Sequence, residues 1–168
     1  LDNGRRSLMK SPESYIELAT AVHEGQKDKR GRDYINHPIE VSQAVKHLGP
    51  SYEAVAILHD VVEDADPKIW DHDELTKTIE GFGVEIADAV KAITKSPDEK
   101  YFDYIVRVKG NEIAAQVKLA DLKINYATIS DIPDPETVKS LGKRYEKAIS
   151  ILEEEDFATV VLSEMVRF

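Results

Sequence analysis

The chain has 168 residues, 42% of them hydrophobic and 32% charged, so it can bury the core of one domain beneath a heavily charged surface. It carries 22 Lys and Arg against 32 Asp and Glu, a net charge of −10, and no Cys. That acidic balance argues against duplex nucleic acid and anionic membranes as partners; the lack of thiols excludes disulfides and thiolate metal sites and fits a cytoplasmic protein.

Residues 1–10 contain no apolar run, so no secretory leader is expected there; the opening LDNGRRSL precedes Met9 and reads as an expression remnant or a disordered start. Residues 11–168 are expected to form a single domain, because no linker, repeat or low-complexity tract divides them. Ser11-Pro12-Glu13, Ser96-Pro97-Asp98 and Asp134-Pro135-Glu136 each offer a capping side chain, a Pro for the first helical position and an acid suited to the positive helix end. His37-Pro38-Ile39-Glu40 is a fourth such start, with His37 at the cap. Tyr15, Leu18, Ala19 and Val22 share one face of the first helix, and Ile39, Val41, Val45 and Leu48 mark the second. Ser51 is expected to cap a helix over 52–64. Further helices are expected over 73–79, stopped at Gly81-Phe82-Gly83, then over 84–93, 101–125, 137–152 and 157–166. No sustained period-two alternation and no Asn-Gly hairpin appear, so the fold class is all-α, about eight helices without a sheet. No apolar stretch approaches the roughly 20 residues of a membrane span.

Chemistry concentrates in Ala54-Val55-Ala56-Ile57-Leu58-His59-Asp60-Val61-Val62-Glu63-Asp64. Its first half is apolar all round, the mark of a buried helix. In its second half His59 and Glu63 are four apart, as are Asp60 and Asp64, so a helix gathers four ionisable groups into one patch. Charges on a buried helix are costly unless paired or bound to metal; the competing reading is a helix end emerging into water. Val117-Lys118-Leu119-Ala120-Asp121-Leu122-Lys123-Ile124-Asn125 likewise puts Asp121 and Asn125 on one face, beside an apolar surface. A third site is Tyr34-Ile35-Asn36-His37-Pro38. His47 and His72 read as structural or solvated, as does His23, although of the three His23 is the best placed to line a site. Two His and two Asp suit a divalent transition metal with positions left open for water and substrate. Spacing alone does not join these distant residues.

The order of these residues carries a resemblance. A His, then an adjacent His-Asp, then a distant Asp, all on helices, resembles the HD phosphohydrolase superfamily. The local strings are similar, more closely, to the hydrolase domain of RelA/SpoT homologues, including the small stand-alone alarmone hydrolases. They are His23-Glu24-Gly25-Gln26, Gly31 with Tyr34-Ile35-Asn36-His37-Pro38, Leu58-His59-Asp60-Val61-Val62-Glu63-Asp64, Phe82-Gly83, Ile93-Thr94-Lys95, and Val117-Lys118-Leu119-Ala120-Asp121 with Asn125 and Thr128. The resemblance spans residues 23–128. It implies one compact HD-domain fold and metal-dependent hydrolysis of the 3′-diphosphate of (p)ppGpp or (p)ppApp, with release of pyrophosphate. It implies His37, His59, Asp60 and Asp121 as ligands to a divalent ion, most often Mn2+, and Glu63 and Asp64 as the pair that positions or deprotonates the attacking water. Asn125 matches a residue contacting the nucleoside, and Thr128 a neighbour in that pocket.

Lys29, Arg30, Arg32 and Lys95 are candidates to neutralise the distal phosphates, against the alternative of solvated surface charge. Two positions depart from the family pattern. Asp28 stands where an Arg able to stack on the base is usual, and Leu122 follows Asp121 where a basic residue is common. Neither touches the metal, and both leave adenosine analogues beside guanosine ones as substrates. Residues 129–168 leave no room for the family's synthetase domain. Two other readings stay open: an HD phosphohydrolase of another nucleotide, and a catalytically silent nucleotide-binding module. The acidic surface neither requires nor excludes an oligomer.

Overall fold

Between Pro12 and Glu153 the chain forms nine α-helices and two short 3-10 turns, in a computed structural model that describes residues 12–154 and 164–166. The helices are α1 (Pro12–Val22), α2 (Asn36–Val45), α3 (Pro50–Leu58), α4 (Val61–Asp64), α5 (His72–Glu80), α6 (Val84–Ile93), α7 (Tyr101–Lys109), α8 (Glu112–Ala127) and α9 (Pro135–Glu153). No strand occurs among the described residues; an isolated antiparallel bridge between Lys27 and Asp33 pinches the loop that joins α1 to α2. The all-α expectation therefore stands, and no described helix is long and apolar enough to cross a membrane.

Two helices organise the core. On α3 every residue from Ala54 to Leu58 is buried, and the helix packs against α1, α2, α6 and α8. Each fully buried Val, Ile or Leu contributes about 1.5–3 kcal/mol, so this run firmly anchors the His59-Asp60 pair at its C-terminal end. The second, α8, packs on α2, α3, α6, α7 and α9 and buries Ile113, Ala114, Val117, Asp121 and Leu122. A buried carboxylate in the middle of a core helix is held there by partners.

Several local expectations are corrected. The helix expected over 52–64 begins at Pro50, ends at Leu58 and restarts at Val61. Gly49, at φ 128°, supplies a turn that other residues rarely adopt, and Ser51 does not cap: its hydroxyl donates to Glu85 Oε2 at 3.0 Å. At the break Asp60 has ψ near 0°, which turns His59 and Asp60 out of the regular helix. The helix expected over 101–125 is two, divided at Gly110-Asn111, where the Asn111 side chain accepts from Ala114 N–H at 3.0 Å as the cap of α8. Ser96-Pro97-Asp98 forms a turn instead of a helix start, with Glu99 N–H donating to Ser96 C=O. Arg107 Nε grips Glu99 at 2.7 Å and so holds the turn ahead of α7. His37 lies inside the first turn of α2, after Ile35 at the cap. Asp134 does cap α9, accepting from Thr137 N–H at 3.1 Å. Residues 1–10 and Ser11 lie outside the described residues, as does the helix expected over 157–166 apart from a helical turn at 164–166.

Candidate metal centre

The end of α3, the first turn of α2 and the middle of α8 converge. His37 Nε2–H donates to Asp121 Oδ1 at 2.7 Å, and His59 Nε2 lies 3.8 Å from the same oxygen. The rings of His37 and His59 stand edge to face, 5.6 Å apart. Potential ligand atoms of His37, His59 and Asp121 all lie within 4.8 Å of one another, and all three residues are buried. Asp60 joins from the side: its Oδ2 is 2.9 Å from His59 Nε2 and accepts the Tyr34 hydroxyl.

The hydrogen bonding prepares this cluster for a cation. His59 Nδ1–H donates to Ala56 C=O at 2.6 Å, which fixes the ring and turns Nε2 toward the carboxylates. That Nε2 is buried and makes no well-formed hydrogen bond, an orphaned polar atom of the kind a metal ligand presents to its ion. The Asp121 carboxylate is surrounded: Lys118 Nζ donates to Oδ2 at 2.8 Å and Asn125 Nδ2 to Oδ1 at 2.9 Å. Burial pushes Asp121 up, but Lys118, then His37 and His59, hold it well below the ordinary carboxylate range. Burial also disfavours charge on His59, and the carboxylates of Asp60 and Asp121 outweigh it, keeping the imidazole above its usual range. Two nitrogen donors beside ionised carboxylates suit a divalent transition metal, and the group fits.

The acidic pair stands beside the cluster. Asp64 is pushed up to about 7, first by the water that the surrounding protein removes and then by the charges of Asp60 and Glu63. Glu63 is raised for the same reasons, against the Lys95 N–H that reaches its Oε2 at 3.4 Å. Both residues keep exposed surface, so water still reaches the raised carboxyls; of the two, Asp64 lines the neighbouring cavity and Glu63 does not. A carboxylate held near neutral pH is suited to taking a proton from water.

A cavity of about 290 Å3 opens from this centre. His37, Asp60, Asp64 and Asp121 line it, with Asn125 and Thr128 and the apolar Leu122, Ile124, Ile132 and Leu141. Lys29, Arg30, Lys118 and Arg144 bring positive charge to its wall, and Tyr34, Tyr101 and Tyr145 bring rings. Lys29 Nζ donates to the Tyr145 hydroxyl at 2.7 Å, and Arg144 lies over the Tyr101 ring at 5.0 Å. Thr128 is at the wall with its hydroxyl donating to Ile124 C=O.

Of the residues singled out in the sequence, His37, Asp60, Asp64, Asp121, Asn125, Thr128, Lys29 and Arg30 meet at the cavity, while others lie elsewhere. Lys95 does not line the cavity; its backbone meets Glu63 while its ammonium donates to Ser96 C=O. Arg32 is structural, bonded to Asp28 at 2.9 Å and Glu40 at 2.9 Å. Asp28 does line the cavity, but its carboxylate already accepts from Arg30 N–H, Arg32 N–H and Arg32 Nε. Lys118, Tyr34, Tyr101, Arg144 and Tyr145 were missed. Lys118 left a signal, a Lys one turn before Asp121 on an apolar face, and Tyr34 stands three residues before His37, in the turn that leads into α2; Arg144 and Tyr145 arrive from α9, a separate helix, and left none.

Comparison with known proteins gives four matches of note. A family described as HD domain matches residues 16–132. The chain is 33% identical over 88 residues to the bifunctional (p)ppGpp synthase/hydrolase SpoT of Escherichia coli K12, covering 51% of this chain and 12% of that protein. It is 30% identical over 131 residues to the guanosine-3′,5′-bis(diphosphate) 3′-pyrophosphohydrolase of Haemophilus influenzae, covering 70% of this chain and 18% of that one. The chain thus spans 12–18% of the length of these relatives. A solved structure of a metazoan ortholog of SpoT, described as hydrolyzing ppGpp and playing a role in starvation responses, has a TM-score of 0.68 to this fold, covers 87% of each chain and is 22% identical.

Proposed function

This chain belongs to the HD domain family, and on that premise we propose that it is a metal-dependent 3′-pyrophosphohydrolase of alarmone nucleotides, acting on (p)ppGpp and (p)ppApp. The observation that carries the reading is the buried His37–His59–Asp121 cluster with an orphaned His59 Nε2 at a cation-rimmed cavity that Asp64 lines, with the raised carboxyls of Glu63 and Asp64 both near Asp60. The names borne by the relatives from Escherichia coli and Haemophilus influenzae point to the same activity.

His37, His59, Asp60 and Asp121 would hold a divalent ion, Mn2+ in this reading. When bound, such an ion supplies a water of lowered pKa and draws charge from a phosphoryl oxygen. The rest falls to the chain. Glu63 and Asp64 orient the attacking water and take its proton. The water oxygen bonds to the 3′-phosphorus, the bond between that phosphorus and O3′ breaks, and O3′ leaves with a proton as pyrophosphate departs. Lys29, Arg30, Lys118 and Arg144 neutralise the phosphates. Asn125 and Thr128 meet the nucleoside, whose base lies against Leu122, Ile124, Ile132 and Leu141. Asp28 stands where a base-stacking Arg is usual, and its carboxylate is already engaged by Arg30 N–H, Arg32 N–H and Arg32 Nε, so adenosine alarmones stand beside guanosine ones as substrates. The enzyme works in the cytoplasm, where these nucleotides occur.

Pyrophosphate release from ppGpp, ppApp and their pentaphosphate forms, with Mn2+ and with an EDTA control, tests this. Metal-dependent release is the expected result. No release with metal bound would move the assignment to another nucleotide, and no release without metal binding would leave a nucleotide-binding module.

A further inference from the structure

The catalytic pair rides on a very short helix. α4 has four residues, Val61–Asp64, and the chain leaves it extended at Ala65. One turn of helix is marginal by itself, because its last carbonyls have no partner within the helix. Something outside α4 must hold its end.

The sequence string His23-Glu24-Gly25-Gln26 supplies that hold. Gln26 Nε2 donates to the Asp64 carbonyl at 2.8 Å, across 38 residues of chain. Its other amide atom is fixed in turn: His23 Nδ1–H donates to Gln26 Oε1 at 2.8 Å. Gly25 sits at φ 78°, in the left-handed region, and so lets the chain fold back between the two. His23 is only 3% exposed, and its ring lies 4.7 Å from Tyr34, whose hydroxyl donates to Asp60. The Asp64 carbonyl can only accept, so it takes the amide nitrogen of Gln26 and leaves the amide oxygen to His23, whose Nδ1 then carries the proton; the buried Nε2 of His23 has no hydrogen-bond partner. The Gln amide can then face only one way: oxygen to His23, nitrogen to Asp64.

We propose that His23 and Gln26 are positioning residues that clamp the C-terminal end of α4 and so hold Glu63 and Asp64 at the reacting water. Neither lines the cavity assigned to substrate, and neither has a hydrogen bond to His37, His59, Asp60 or Asp121. His23 orients the amide, and the amide caps the carbonyl of Asp64. The consequence for catalysis rests on the function proposed above; the clamp itself does not. A carboxylate displaced by about 1 Å loses roughly a hundredfold in rate, so a loose α4 lowers turnover while leaving metal and nucleotide binding in place.

The experiment uses the whole chain with Gln26→Met, which keeps length and volume and removes both hydrogen bonds, and Gln26→Glu, which keeps the acceptor for His23 and loses the donor to Asp64. Hydrogen–deuterium exchange of residues 61–65 is read first, without substrate. Both variants are expected to exchange about tenfold faster there while the buried amides of α3 and α8 stay protected. Turnover of ppGpp is read second: kcat falls at least about tenfold in both, with KM within about twofold of wild type and Mn2+ affinity unchanged. Unchanged exchange at 61–65 in both variants would overturn the clamp. Faster exchange with kcat unchanged in an active protein would overturn its catalytic role, as would loss of Mn2+ binding with activity, since the effect would then run through the metal centre. If wild type hydrolyses no alarmone, the proposed substrate falls, and the exchange measurement still decides the clamp.

Discussion

Lys118 Nζ stands 2.8 Å from Asp121 Oδ2, one turn earlier on the same helix, and the two side chains keep only 14% and 4% of their surface. The pair sits at the junction of the core, the cluster of histidines and the cavity. Breaking a buried pair by removing one partner is costly because the other charge stays buried. Lys118→Met should therefore destabilise the metal-free protein by about 3 kcal/mol, measured as a lower urea midpoint. A divalent ion should restore part of that loss, since it brings positive charge back to Asp121. A midpoint equal to wild type would show that Lys118 does not compensate Asp121.

A resident divalent ion should stabilise the fold by mass action. At a concentration a hundred times its Kd the gain is about 2.7 kcal/mol, visible as a rise in Tm with added Mn2+ that EDTA reverses. His37→Ala, His59→Ala and Asp121→Ala should each abolish the rise, because they remove atoms of the 4.8 Å cluster. Asp60→Ala tests the proposed fourth ligand, whose carboxylate approaches from the side of His59: retention of both the rise and the activity would remove Asp60 from the proposed coordination.

The acidic pair should separate binding from turnover. Glu63→Gln and Asp64→Asn keep size and remove the proposed base, so each should keep metal affinity and lower kcat by about 10²–10⁴-fold. Isothermal titration with Mn2+ alongside single-turnover rates reads the two quantities independently. If Glu63→Gln lost the metal instead, Glu63 would be a ligand.

Acid should loosen the loop that brings Lys29 and Arg30 to the cavity. Asp28 is partly desolvated, which raises it, but the backbone and side chain of Arg32 and the backbone of Arg30 hold it below its ordinary 3.8. Glu40 is held below its ordinary 4.5, first by its hydrogen bond to Arg32. A carboxylate lower in the folded state contributes stability above its unfolded value and loses it as pH falls through the folded one. Wild type should thus show faster amide exchange at 27–33 as pH drops below 4.5, corrected for the intrinsic pH dependence of exchange, whereas Arg32→Met should be loose already at neutral pH. A wild-type profile flat below that pH would sink the assignment.

Much of the site was legible because helical spacing is local. The apolar run Ala54–Leu58 read as buried, as it is, and the four-residue separation of Asp60 and Asp64 read as one face, where both line the cavity; His59 and Glu63, read the same way, part at the break, His59 into the buried cluster and Glu63 toward solvent. The turns were harder. Gly110-Asn111 carried a helix stop and a cap, yet apolar periodicity on both sides masked the division of α7 from α8. The break at His59-Asp60 left no mark, since neither residue is a helix breaker and the turn there is made by the surroundings.

By itself, then, the sequence determined the helical class, the buried run that anchors His59-Asp60, and the residue types from which a metal site can be built, because hydrophobic period and side-chain chemistry are properties of short segments. Only the tertiary structure decided which distant residues meet. It brought His37, His59 and Asp121 within reach of one another, set Lys118 against Asp121 and tied Arg32 to Asp28 and Glu40 instead of leaving it at the cavity wall. It also added Arg144 and Tyr145 from α9 to the cavity wall. Those outcomes depend on how α2, α3, α8 and α9 pack, and packing is a sum over contacts between segments that no single segment encodes.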